Sequence, residues 1–251
     1  MTTPGYQALR ESAAWIDLSA RGRIRVTGED RARLLHALTT NHIQQMQPGD
    51  VVYAFFLTAQ GRILADVNVV CRAEDFLLDV EPEVRELVYQ HLDHYIIADD
   101  VQLEDITAST TCVGIEGPEA LQYAPASAVK LSVTGAPGFR LYEASDLIEK
   151  LPQATLDDVR IVRLEHGKPR YGEEITATTL PQETNLHQAL HFQKGCYLGQ
   201  EIIERIRSRG HVNKVLMPFQ GDTEGEVVSS VFSPALQKNV GLAWLKTARK
   251  A

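Results

Sequence analysis

Residues 51–80 constrain this chain more than any other stretch. Residues 51–58 form a continuous apolar run, Ala59-Gln60-Gly61-Arg62 supplies a turn, and residues 63–70 resume the apolar pattern. A polar break at residues 72–75 precedes a third run, 76–80. Short apolar runs rich in β-branched and aromatic residues, parted by tight turns, predict an antiparallel meander. Pro82 then stands where a first helical position belongs, and Val84, Leu87, Val88, His91, Leu92 and Tyr95 recur on one helical face. Asp99-Asp100 closes that helix and residues 101–106 return as strand, so strands and helices mix in an α+β class.

The flanks carry weaker versions of the same signals. Residues 23–26 alternate charged and apolar, as a half-exposed strand does, and residues 29–38 place Leu34, Leu35 and Leu38 on one helix face. A second α+β set follows: strands at 112–115 and 139–143, helices at 118–123 and 146–151. Thr155 and Asp158 have the spacing of a capping box that opens a helix running to His166. Gly167 and Pro169 end it. Residues 201–207 suit strand or helix equally, and three strand-like runs, 212–219, 225–232 and 240–245, predict a small β module.

Composition narrows the function classes. A chain of 251 residues with 44% hydrophobic and 23% charged content is long enough for a sizeable core and is not a disordered sequence. Its formal net charge of -8 speaks against a general nucleic-acid binder. Cys71, Cys112 and Cys196 are far apart and form no C-x-x-C pair, which fits a reducing compartment and argues against a local zinc or cluster site. The N-terminus has no signal-peptide pattern and no apolar run nears membrane-spanning length. The expected location is cytoplasmic.

The stretch Phe192-Gln193-Lys194-Gly195-Cys196-Tyr197-Leu198-Gly199-Gln200-Glu201 is poor core material. It sets a cation, two glycines, a thiol, an amide and a carboxylate in one short segment, with Arg205, Arg207 and Arg209 close behind. Lysine next to a thiol favours the thiolate, which is the nucleophilic and metal-binding form. Lys194-Gly195-Cys196-Tyr197-x-Gly199-Gln200-Glu201 resembles the signature of the YgfZ family, folate-binding proteins that assist iron–sulfur enzyme maturation. That family is a branch of the group built like the glycine-cleavage T-protein, the aminomethyltransferase. Residues 23–28 with Leu38-Thr39-Thr40-Asn41, residues 61–66, and Arg163-Leu164-Glu165-His166-Gly167 with Pro169-Arg170-Tyr171-Gly172 resemble further blocks of that group in order.

The resemblance implies three modules around a folate channel: residues 1–45 with 155–207, residues 46–154 in a ferredoxin-like arrangement, and residues 208–251 as a shortened barrel-like β module. It implies tetrahydrofolate or a one-carbon derivative as cofactor, iron–sulfur client or assembly proteins as partners, and no nucleic acid or membrane. Glu165 would grip the pterin ring, whose adjacent N–H and amino groups suit a bidentate carboxylate. Asp66 would act near the folate amines by electrostatics, Tyr171 would help hold the cofactor, and Arg205 and Arg207 would pair with the carboxylates of a glutamate tail. Cys196, supported by Lys194, would be the functional thiol. One thiolate cannot hold a cluster alone, so the remaining ligands would come from a partner. The transferases usually carry two adjacent aspartates where this chain has Ala65-Asp66. The alternative expectation is nonetheless an enzyme, a folate-dependent aminomethyltransferase or other one-carbon transferase. His187 and His191 stand four apart and form a weaker candidate pair for a metal on a helix face.

Overall fold

The structure is a computed structural model, described over residues 2–247. Residues 248–251, the end of the expected C-terminal module, lie outside the described residues. The elements in order are α1 (Pro4–Glu11), β1 (Ala14–Asp17), β2 (Gly22–Thr27), α2 (Arg31–Leu38), β3 (Val51–Leu57), β4 (Ile63–Cys71) and β5 (Phe76–Val80). There follow α3 (Arg85–Tyr95), β6 (Gln102–Asp105), β7 (Val113–Glu116), β8 (Gly138–Leu141), α4 (Leu147–Lys150) and α5 (Leu156–Glu165). The last are α6 (Gln200–Arg209), β9 (Lys214–Gln220), β10 (Glu226–Ser233) and β11 (Lys238–Lys246). Helices and antiparallel sheets are mixed, in keeping with the expected α+β class.

The chain divides into two compact units, each woven from separated segments. One comprises residues 1–20, 108–170 and 216–245; the other comprises residues 21–107, 171–215 and 246–251.

The second unit holds the predicted meander. Its sheet runs β3-β4-β5-β2-β6, and its ladders are antiparallel. Successive side chains on a strand point to opposite faces, and here the two faces differ in kind. Ile24, Val69 and Leu78 form one cross-strand row and belong to the apolar core with Val26, Ala65, Val67 and Val80. Leu34, Leu35 and Leu38 of α2 and Val88 and Leu92 of α3 join the same core. The neighbouring row, Tyr53, Asn68, Asp79 and Arg23, stands on the other face. Asp79 and Arg23 there are fully buried, so that face is charged and yet withdrawn from water.

The first unit contains the sheet β1-β7-β8 and a C-terminal sheet ordered β10-β11-β9. Tyr6 and Leu9 of α1 share a core with Ile16, Val159 and Val162, and Leu164 of α5 packs with Leu216, Val240 and Leu242 of the C-terminal strands. A three-stranded sheet thus stands where a barrel-like module was expected. Three strands are too few to close on themselves, and α5 supplies apolar cover for this sheet. Helix α1 and strand β1 are additions to the elements expected from sequence, although Thr3 caps α1 by accepting from the Tyr6 N–H at 3.0 Å and Pro4 opens it.

The capping box of α5 forms as its spacing predicts: Thr155 Oγ1 accepts from the Asp158 N–H, and the Asp158 carboxylate accepts from the Thr155 N–H at 2.8 Å. Thr155→Ala is expected to lower the unfolding free energy by about 1 kcal/mol, read as a smaller urea midpoint with an unchanged m-value.

Candidate functional site

Asp66 lies on β4 of the second unit, on the charged face of the sheet. Tyr53 on β3 donates its hydroxyl to Asp66 Oδ2 at 2.9 Å. Asp66 Oδ1 is buried and has no hydrogen-bond partner among the described residues. A buried polar atom left without a partner is costly and calls for an explanation. Burial, and then the negative charge of Glu81, push the Asp66 carboxyl up to about 6. Tyr171 is buried near enough to feel the same carboxylate: burial and Asp66 together raise its phenol above the ordinary value. The structure therefore brings Asp66 and Tyr171, two of the residues singled out from sequence, into one neighbourhood, and adds Tyr53.

An ion cluster borders them. Arg21 donates to Asp79 at 2.6 Å and also to Glu81, with all three residues buried. Charges taken out of water need partners and hydrogen bonds to persist. None of Tyr53, Arg21 or Glu81 is a candidate on sequence grounds. Their relation to Asp66 is set by cross-strand pairing, which residue spacing along one strand does not reveal.

The thiol-bearing segment is in the same unit, and its conformation answers a need of α2. The last carbonyls of a helix have no intrahelical donors. Lys194 Nζ donates to the carbonyl oxygens of His36 and of Thr39, the latter at 2.5 Å. The Leu198 N–H donates to the Ala37 carbonyl at 3.0 Å, and the His191 N–H to that of Thr40 at 3.0 Å. Gly199 then turns into α6 at φ 80°, where a Cβ would meet the Thr58 carbonyl oxygen at 2.6 Å; only glycine fits. Between the buried Lys194 and the buried Tyr197, Cys196 is exposed. Cys71 and Cys112 are buried, as core cysteines.

Lys194 does not stand as the free cation expected beside the thiol. Its ammonium is committed to helix carbonyls and lies 4.9 Å from the Tyr197 ring centroid, and burial lowers it to about 7. Arg205 and Arg207 are exposed on α6. Arg207 pairs with Glu204 at 3.2 Å and stacks on Phe192 with 4.6 Å to the ring centroid. His187 sits in a single 3₁₀ turn, His187–Ala189, with His191 beyond it, so the i,i+4 helix face expected for that pair does not form. His191 instead meets His42, which meets His36, in edge-on ring contacts of 5.3 and 4.6 Å. Among the described residues no group of three His, Cys, Asp or Glu is arranged to hold a metal ion.

Glu165 belongs to the first unit. Its Oε1 accepts from the hydroxyls of Tyr6 at 2.6 Å and Ser233 at 2.5 Å, and its Oε2 from Arg10 at 3.0 Å. Tyr6 in turn accepts from the Ala235 N–H at 3.1 Å. The carboxylate that the resemblance assigns to a pterin is thus engaged at both oxygens by its own chain.

Comparison with known proteins places this geometry. A model described as the GCVT N-terminal domain matches residues 2–143. Relatives named aminomethyltransferase include those of Rubrobacter xylanophilus, 26% identical over 96% of this chain and 78% of that one, and of Geobacillus kaustophilus, 26% identical over 96% and 81%. The glycine cleavage system aminomethyltransferase T from Bartonella henselae superposes with a TM-score of 0.84 at 18% identity, covering 96% of this chain and 80% of the other. That likeness establishes the shared fold. Among the described residues no helix is long and apolar enough to cross a membrane.

Two expectations follow from the site. Asp66 is held near 6 against 3.8 for a free side chain, so its contribution to stability is complete below about 3.8 and is lost as pH rises through about 6. Asp66→Asn, neutral throughout, is therefore expected to raise Tm relative to wild type above pH 6 and to leave it close to wild type near pH 4, measured by calorimetry across that range. Lys194→Ala removes two donors from buried carbonyls and is expected to cost on the order of 2 kcal/mol, read from urea unfolding.

Proposed function

Because the chain belongs to the GCVT N-terminal domain family, we propose that it is a tetrahydrofolate-binding protein that handles a one-carbon unit at Asp66. The observation that carries this reading is the buried Asp66 carboxyl, with one oxygen held by Tyr53 and the other unpartnered. The names of the aminomethyltransferase relatives support the reaction class, and the common fold supports the comparison.

The residues fit the cofactor chemically. Tetrahydrofolate supplies two neighbouring secondary amines that accept and release a one-carbon group. Asp66 offers Oδ1 to such an amine, and it accepts a hydrogen bond when ionised and donates one when protonated. A group poised near 6 can do either close to neutral pH. Tyr53 fixes the rotation of the carboxyl through Oδ2, and Tyr171 closes the neighbourhood with a phenol that burial keeps neutral. Arg205 and Arg207 have the exposure and charge to meet the carboxylates of a glutamate tail.

A second reading rests on Cys196. Aminomethyl transfer needs no thiol at that place, yet the chain pins Lys194 and Tyr197 inside and leaves the sulfur between them exposed. That presentation favours a folate-binding accessory factor in iron–sulfur protein maturation, with the exposed thiol meeting a client or assembly protein.

Titration calorimetry with tetrahydrofolate tests what the two readings share: wild type binds, and Asp66→Asn binds at least tenfold more weakly. No heat with wild type would remove the folate claim. Transfer of an aminomethyl carbon to tetrahydrofolate by wild type selects the enzyme. Without transfer, failure of Cys196→Ser to rescue iron–sulfur enzyme activity in cells lacking their own homologue selects the accessory factor, provided that the variant keeps wild-type folate affinity.

A further inference from the structure

The geometry points to Glu81 as the second acid of the Asp66 site, a positioning residue that acts through Asp66 as the like-charged half of a carboxyl pair. This inference rests on the reading of Asp66 as the residue that meets the one-carbon unit.

The placement follows from strand register. The β4–β5 ladder pairs Cys71 with Phe76, Val70 with Leu77, Val69 with Leu78 and Asn68 with Asp79. The ladder ends at Asn68 and Asp79, and its register, continued two residues past that end, leads from Asp66 towards Glu81, the residue that follows β5. Like charges brought together across neighbouring strands repel. The β2–β5 ladder pairs Gly22 with Val80, and one step on it sets Arg21 opposite Glu81, where Arg21 does donate to the Glu81 carboxylate. The cross-sheet row thus reads Asp66, Glu81, Arg21, and the row beside it reads Asn68, Asp79, Arg23.

Several charged and titratable groups on this face bear on the pair, while at its exposed edge Arg25 answers Glu104. From β3, the Tyr53 hydroxyl donates to Asp66. From β5 and its end, Asp79 and Glu81 add two carboxylates, and both receive Arg21. From β2 and its approach come the two buried guanidiniums, Arg21 and Arg23. Tyr171 adds a phenol. Arg21 is already shared between Asp79 and Glu81, so ionised Asp66 adds a further negative charge to a buried face. A second negative charge beside Asp66 disfavours its ionised form, so Asp66 keeps its proton to a higher pH than an isolated aspartate does. Among the charges around Asp66, that of Glu81 does most to favour its protonated form.

Glu81 acts through its charge, on whether the open Asp66 Oδ1 accepts or donates. Glu81→Gln keeps the shape and removes the charge. Carbon-13 NMR of the Asp66 carboxyl, followed from pH 3 to 8 in the full chain, is expected to show its midpoint fall by about one unit, a tenfold change in proton affinity. The pH dependence of tetrahydrofolate affinity should move down by the same amount. An unmoved midpoint in a folded Glu81→Gln protein overturns the inference. Should the midpoint move while tetrahydrofolate produces no binding heat, the carboxyl pair stands and the folate reading falls. Binding with an unmoved midpoint leaves the folate reading standing and overturns the pair.

Discussion

The second unit is governed by the alternation of side chains across its antiparallel sheet. Every strand that sends an aliphatic residue into the core must present its neighbour on the opposite face. On β2, β4 and β5 those neighbours include Arg23, Asp66, Asn68 and Asp79. The apolar row of Ile24, Val69 and Leu78 therefore fixes where the charged row lies. A slip of one residue would exchange the two faces. The register that builds the core is the same register that sets Asp66 beside Tyr53 and near Arg21, so the packing and the chemistry of the unit have one origin.

The loop bearing Cys196 obeys a different requirement. Helix α2 ends with carbonyl oxygens in need of donors, and a segment more than 150 residues later in the chain supplies them through Lys194. Its two flanking anchors, Lys194 and Tyr197, are buried, and the backbone turn at Gly199 admits no side chain. The exposure of the thiol is thus a product of anchoring on both sides. Reactivity there would come from access and from the partner met, because the lysine's cation is occupied elsewhere.

The parts of this molecule that are local in sequence are legible in it. The apolar runs of β3, β4 and β5 and the Thr155 capping box each depend on residues within a few positions of one another and form as read. The face of α3 does so only in part: Val88 and Leu92 are buried, Leu87 is exposed, and Pro82 opens a 3₁₀ turn ahead of the helix. Helix α6 is ambiguous in sequence because Ile202, Ile203 and Ile206 suit a strand as well as a helix face, and β-branched residues tip propensity towards strand. Helix α1 carries its signal in Thr3-Pro4 and in the i,i+3 pair Tyr6 and Leu9, but the stretch is short. The site resists for a different reason. Glu165 finds Tyr6 at a separation of 159 residues and Ser233 at 68, and Lys194 turns to α2 for partners that its neighbours in sequence do not reveal. Asp66 can be singled out from its motif, whereas its cross-strand company cannot.

The segment exchange between the two units has a consequence for how the molecule is made. The Tyr6 hydroxyl, which bonds Glu165, also receives an N–H from Ala235, across 229 residues. The opening helix emerges from the ribosome long before the strands that complete its surroundings exist. Contacts so remote in sequence form slowly and leave apolar surface waiting. Tyr6 and Leu9 of α1 therefore wait with apolar surface uncovered until the later segments of their core have been made.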